Sequence, residues 1–198
     1  MQNAAWERAK TVFDIESDAI KRAVDHIDES AFIRAIDALA AAERIAASGC
    51  GHSGIACMHF AHLMCCIEKP ARFLSPSEAN HGASGFLKAG DALVLASRGG
   101  KTAELMPLME IARAKNATVI GITQNAESPL ARDVDIWIPM HVTRECDPFD
   151  TQGTASFVVL SAIFDALQTA LIERIGFTDC RFAVIHPGGA VGARLNEK

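Results

Sequence analysis

The spacing of apolar residues changes period along the chain, and the changes mark out its elements. Between residues 4 and 25, Trp6, Ala9, Val12, Phe13, Ile15, Ile20, Ala23 and Val24 recur at helical intervals and predict an amphipathic helix. Residues 28–30 break the pattern, and Phe32, Ile33, Ile36, Leu39 and Ala40 predict a second helix. From residue 44 onward short apolar runs alternate with helical stretches. Strands are predicted over 44–48, 71–74, 92–96, 118–123 and 135–140. The run at 92–96, Ala-Leu-Val-Leu-Ala, has no polar break, as expected of a strand buried on both faces of a parallel sheet. Helical spacing follows residue 54 (Ile55, Met58, Phe60, Ala61, Leu63, Met64) and residue 102 (Leu105, Leu108, Met109, Ala112). Residues 76–81 read as a short helix or turn, 128–131 as a short helix, and 155–175 as a long apolar helix halted by Gly176. Strands alternating with helices indicate a parallel sheet in a three-layer α/β/α domain. One domain is expected over 1–198, with N-terminal helices in 1–43 and an α/β core in 44–198. Two helices ahead of the first strand exceed what such a sheet needs, and are expected to lie against another subunit.

The candidate chemistry sits where strands hand over to helices. Residues 91–105, DALVLASRGGKTAEL, read as strand, small polar turn and helix. That arrangement puts backbone N–H groups and hydroxyls at the carboxyl end of a central strand, where open α/β sheets bind anions and phosphorylated ligands. The turn is neither a Walker A loop nor a dinucleotide fingerprint, because GxxxxGK[ST] and GxGxxG are both absent. A second Gly-rich turn, GCGHSG at 49–54, precedes the first long helix of the core. Ser53, Ser97, Thr102, Thr154, Ser156 and the Gly99 and Gly100 amides therefore fall at one sheet edge and can converge on a phosphate. Glu104 and Glu145 are the carboxylates of that edge; a glutamate partly desolvated beside a sugar can exchange protons with carbon or oxygen. His52 lies in the first turn, and His81 and His186 lie in Gly- and Pro-bounded loops, which often carry site residues. His59 and His62, at i and i+3 without a further ligand nearby in sequence, read as surface or core groups, and no metal site is predicted.

Composition narrows the classes. In 198 residues the formal charge is −5 with no basic run, which argues against a nucleic-acid surface. No apolar stretch is read as reaching the ~18 residues of a membrane span, and acids early in the N-terminal helix argue against a secretory signal. Six cysteines show no CxxC pair and no disulfide framework. They are expected to be mostly buried free thiols, and the chain is expected in a reducing cytoplasm.

Taken together, GCGHSG (49–54), PSEANHGASG (76–85), SRGGKTAEL (97–105), the Glu145 loop and IHPGGAVGARL (185–195) resemble the sugar isomerase (SIS) domain family. Within it they look most like arabinose-5-phosphate isomerases in a form lacking the tandem CBS domains. The resemblance implies a five-stranded parallel flavodoxin-like sheet, a dimer or tetramer with sites near subunit interfaces, and no organic cofactor. It assigns phosphate contacts to Ser53, Ser97 and Thr102, and active-site roles to Glu104, Glu145, His81 and His186. Three positions depart from the family pattern: His52 stands for a lysine, Gly99 for a serine and Ala83 for an aspartate. His52 supplies a positive charge only when protonated, while Arg98 and Lys101 bring positive charge to the phosphate turn. The activity implied is aldose–ketose isomerisation of a phosphorylated pentose, with Glu145 or Glu104 taking the proton from carbon and His186 or His81 assisting at the carbonyl. The alternatives are a non-catalytic SIS module that binds a sugar phosphate and signals through its oligomer, and a metal-dependent site requiring His52, His81 and His186 to converge.

Overall fold

The computed structural model describes residues 2–196. Helices α1 (Gln2–Ala23) and α2 (Glu29–Ala41) precede β1 (Ile45–Gly49), α3 (Gly51–Cys65), β2 (Ala71–Phe73) and α4 (Pro76–Asn80). Then come β3 (Ala92–Ala96), α5 (Met106–Ala114), β4 (Thr118–Thr123), α6 (Pro129–Arg132) and β5 (Ile136–Pro139). Helices α7 (Ala155–Ile175), α8 (Asp179–Ile185) and α9 (Gly189–Asn196) close the chain. The break before α2 is a cap: the Asp28 carboxylate accepts the Ala31 N–H at 2.6 Å, satisfying a donor that helix geometry leaves free.

The strands form one parallel sheet in the order β2-β1-β3-β4-β5. Register runs Ile45↔Ala92↔Thr118 at one end and Gly49↔Ala96↔Ile122 at the other. Alternation along β3 explains its unbroken apolar run. Ala92, Val94 and Ala96 face one core, with α2, α3 and α7, while Leu93 and Leu95 face the other, with α5 and α6. All five residues are fully buried. The first core is pinned where Phe60 of α3 stacks on Phe164 of α7, ring centroids 4.5 Å apart. Each such side chain contributes about 1.5–3 kcal/mol by leaving water. At the edge where strands begin, Asp91 is buried and accepts from Arg44 Nε and Nη2 at 3.2 and 2.7 Å. That ion pair ties the entry of β1 to the entry of β3.

The N-terminal helices pack within the chain: Ala31, Ala35 and Leu39 of α2 join the α7 core, and Val12, Ile15 and Ala19 of α1 lie against it. The opposite side of α1 leaves Trp6 and Phe13 60 % and 70 % exposed. Two expectations, on membrane-span length and on the cysteines, are corrected. The 21 residues of α7 do meet the length and composition of a membrane span. Leu160, Ile163, Phe164, Leu167 and Leu171 are nonetheless buried in the core, so a helix enclosed by other helices carries the same signal. Of the cysteines only Cys57 and Cys146 are buried; Cys65 and Cys180 are exposed, and all six are free thiols. They fall on helix ends and outer faces that apolar neighbours in sequence do not reveal.

The loop leaving β5 is held against the end of α1 by His141, whose ring stacks on His26 with centroids 3.9 Å apart. Burial, then the charges of His26 and Arg22, hold the His141 pKa below the ordinary histidine value. The unfolded chain therefore binds the proton first as pH falls. Stability is expected to drop on acidification through the window just below pH ~6.5, and to recover as pH rises through it. A His141→Gln variant should flatten that slope in thermal melts taken between pH 5 and 8; an unchanged slope would refute the assignment.

Candidate functional site

In the 2-1-3-4-5 order the chain leaves the middle of the sheet in opposite directions from β1 and β3. A crevice opens between their carboxyl ends. The turn after β1 forms one wall. Gly54 closes it, since a Cβ there would stand 2.6 Å from the Gly49 carbonyl oxygen, so only glycine lets α3 begin this close to its strand. Ser53 is half-buried in that first helical turn, and His52 is exposed beside it. The His52 ring leans toward the start of α7: a Cβ on Gly153 would meet its Nδ1 at 3.0 Å, and Phe157 stands edge-on with centroids 6.4 Å away.

The turn after β3 forms the other wall. Ser97 is buried, and its Oγ shares a 2.8 Å hydrogen bond with Thr102 Oγ1. Gly100 adopts φ +66° and packs so tightly that a Cβ would fall 2.1 Å from Ser128 Oγ and 2.7 Å from Thr123 Oγ1. Its N–H donates to both the carbonyl and the Oγ of Ser97 at 3.1 Å. This corrects the placing of Gly100 among the phosphate contacts: its amide is consumed inside the turn and holds the turn's shape. Gly99 is exposed, and among the described residues no acceptor meets the N–H groups of Gly99, Lys101 or Thr102. Those N–H groups and the Ser97–Thr102 hydroxyl pair make a small anion cradle at the start of the 3-10 turn Ala103–Leu105.

The two glutamates differ sharply. Glu104 is exposed in that 3-10 turn, and among the described residues its carboxylate meets no ion-pair or hydrogen-bond partner. Its charge reaches across to the first turn, where burial and then Glu104 raise the pKa of the Cys50 thiol. Asn80 Nδ2 donates to the Glu104 carbonyl at 3.1 Å, which brings the end of α4, and the exposed His81 that follows it, to the same crevice. Glu145 is only 1 % exposed. Its Oε1 accepts from Arg98 Nη1 at 2.7 Å; its Oε2 accepts from Thr154 N, Ser156 N and Thr154 Oγ1 at 2.9, 3.0 and 3.2 Å. Three donors thus crowd Oε2 and one reaches Oε1, which keeps a lone pair of the roughly four a carboxylate offers. Glu145 therefore caps the N-terminus of α7, where a negative charge is favoured. Thr154 serves that cap and also accepts the Cys146 N–H at 2.8 Å.

His52, Ser53, His81, Ser97, Gly99, Thr102, Glu104, Glu145 and Thr154 all lie along the carboxyl edge of the sheet. His186 does not. It ends α8, beyond the far end of α7, where Arg181 donates through Nε to Glu68 Oε2 at 2.7 Å. Glu68 follows α3 at the edge where the strands begin, so His186 stands across the sheet from Ser97. Among the described residues its buried Nδ1 meets no hydrogen-bond partner, and its ring tilts against Phe182 at 5.0 Å. The three histidines of the metal reading do not converge, and among the described residues no cluster of three His, Cys, Asp or Glu is placed to hold a metal ion. The contact that sequence reasoning missed is Arg98 with Glu145, 47 residues apart; the signal was an arginine inside an otherwise small, neutral turn.

Residues 38–172 match the SIS domain. Arabinose 5-phosphate isomerase KdsD of Pseudomonas aeruginosa is 34 % identical over 188 residues, which cover 94 % of this chain and 57 % of that protein. Arabinose 5-phosphate isomerase KpsF of Escherichia coli is 30 % identical over 91 % of this chain and 55 % of its own length. The chain thus spans little more than half the length of the curated relatives it matches. Among solved structures, an Escherichia coli CFT073 protein in complex with A5P superposes with a TM-score of 0.88 at 26 % identity, covering 94 % of this chain and 100 % of that one. A Listeria monocytogenes candidate sugar-phosphate isomerase superposes with a TM-score of 0.92 at 38 % identity, covering 95 % of this chain and 99 % of that one.

Proposed function

The chain belongs to the SIS domain family, and on that premise we propose that it is a phosphosugar isomerase. It interconverts an aldose and a ketose phosphate, of the arabinose 5-phosphate and ribulose 5-phosphate type, through an enediol. The observation that carries this reading is an anion cradle at Ser97 and Thr102 beside the Glu104 carboxylate, unpartnered among the described residues, both at one crevice. Phosphate anchors in the cradle, with Ser53 on the facing wall. Anchoring turns attack on the distant carbonyl end into a positioned event. Glu104 takes the proton from the carbon next to the carbonyl and returns it to the neighbouring carbon, and His81 exchanges protons with the sugar oxygens. Glu145, engaged by Arg98 and the head of α7, orders the wall opposite. Self-association belongs to the proposal as well. The bare side of α1 and the exposed Val184, Ile185 and Val191 of the C-terminal helices support it, and His186 reaches such a crevice only from a second copy of the chain. Six unpaired thiols fit a reducing cytoplasm.

The engagement of Glu145 by Arg98 and the head of α7 also suits a module that binds sugar phosphates without turning them over. A coupled assay on five- and six-carbon sugar phosphates, run beside a thermal-shift panel, separates the two. Turnover of a pentose phosphate is expected. Stabilisation by a sugar phosphate with no turnover of any would leave the binding module standing and end the isomerase reading.

A further inference from the structure

We infer that Arg98 is a catalytic residue of this site, the group that stabilises the oxyanion of the enediolate, and that Glu145 is the residue that positions it. The inference rests on the isomerase reading and assigns it a specific electrophile. The guanidinium is held at both ends. The Arg98 backbone carbonyl accepts from Thr123 Oγ1 at 3.0 Å and Gln124 N at 3.1 Å, so the base of the side chain is fixed to the end of β4. Its tip meets Glu145 Oε1 at 2.7 Å, and Glu145 is itself locked by three donors at the head of α7. The pair is one-sided: the Glu145 side chain is 1 % exposed, whereas that of Arg98 keeps 36 % of its surface open.

An arginine offers five N–H donors in a rigid fork. One is engaged here, and among the described residues Nε and Nη2 meet no acceptor. The backbone of Arg98 belongs to the turn after β3 and its tip reaches the Glu145 loop, so the open donors stand at the carboxyl edge of the sheet, directed away from the turn toward the head of α7. Pairing with the buried Glu145 uses one of these donors and leaves the rest of the cation available. A cation fixed beside the place where negative charge develops is the arrangement that stabilises a transition state without reorganising. His52, on the other wall, carries charge only when protonated; Arg98 carries it at every working pH.

The step balances without a further reactant. Glu104 takes the C2 proton of the aldose. The C–H electron pair becomes the C1=C2 bond, and the carbonyl π pair moves onto O1, where Arg98 N–H groups meet it. The O2 proton passes to O1, the O2 carbonyl forms, and the C=C pair takes the proton back from Glu104 at C1.

Two ligands test the assignment without relying on turnover: a pentonohydroxamate 5-phosphate, whose planar oxygens imitate an enediolate, and a pentitol 5-phosphate, which has the phosphate but no carbonyl. In calorimetric titrations Arg98→Gln is expected to weaken hydroxamate binding by about 10²-fold, the scale of one lost oxyanion donor, and to leave pentitol phosphate affinity unchanged. The retained pentitol affinity shows that the variant is folded. In the assay kcat is expected to fall by a similar factor at near-constant KM, and added guanidinium should restore rate to Arg98→Ala. Glu145→Gln should reproduce the hydroxamate loss in part. Equal weakening of both ligands would make Arg98 a phosphate contact and overturn the inference while sparing the isomerase. Unweakened hydroxamate binding would overturn it as well. Wild-type protein that binds neither ligand would remove the isomerase reading and this inference together.

Discussion

Replacing Glu104 by Gln is expected to lower kcat by about 10²–10⁴-fold, the usual cost of losing a general base, with KM nearly unchanged. The prediction follows from the contrast between the two glutamates. Glu145 is buried, ion-paired to Arg98 through Oε1 and bound by three donors at the head of α7 through Oε2, so protonating it would weaken that ion pair. Glu104 is unpartnered among the described residues, exposed, and close enough to the first turn to raise the pKa of Cys50. Gln keeps the shape and removes the basic lone pair, so binding through Ser97 and Thr102 should survive. Ser97→Ala and Thr102→Ala should do the reverse, weakening binding with a smaller effect on kcat, because the phosphate is not where bonds change. Steady-state kinetics of the three variants on the substrate found in the panel checks the split. Solvent-deuterium incorporation into the C–H position should fall with Glu104→Gln. Wild-type kcat in Glu104→Gln would sink the proposed mechanism.

Gly100→Ala is expected to be the most damaging single methyl group near the site. The backbone at φ +66° costs an L residue about 1–2 kcal/mol. The new Cβ would also lie 2.1 Å from Ser128 Oγ and 2.7 Å from Thr123 Oγ1, in buried surroundings that cannot yield without moving β4. Overpacking of this kind adds about 1–3 kcal/mol. A Tm drop of roughly 5–15 °C follows for a chain of this size. Binding should fall with it, because the Gly100 amide is what holds Ser97 Oγ against Thr102. Gly99→Ala is the control: Gly99 lies outside the left-handed region, and no heavy atom stands within 4 Å of the place a Cβ would take. Its Tm should stay near wild type. Equal melting temperatures for the two variants would show that the turn is not strained as described.

The sequence by itself determined the order of elements and the edge at which chemistry gathers. Five apolar runs separated by helical periods allow only a parallel α/β sheet, and β3 shows the reason most plainly. A strand of Ala, Leu and Val without a polar break has to be covered on both faces, and helices on both faces require crossovers. Polar turns after such strands then fall at one edge whatever the strand order, so Ser53, Ser97, Thr102 and Glu104 were legible as site candidates. The tertiary structure alone decided what each of them is free to do. Gly99 and Gly100 are indistinguishable in a string, yet the second turns its amide inward because Ser128 and Thr123, contributed by β4 and the turn after it, leave room for nothing else. Glu104 and Glu145 are the same residue type; among the described residues the first is unpartnered in an exposed short turn, and the second is buried because α7 begins beside it. His186 sits in the most family-like motif of the chain but lies across the sheet, since the 21 residues of α7 carry it the full height of the domain. Local periodicity is written in neighbouring residues, whereas the partner that engages or frees a charge, Arg98 for Glu145, is 47 positions away and is found only when the chain is folded.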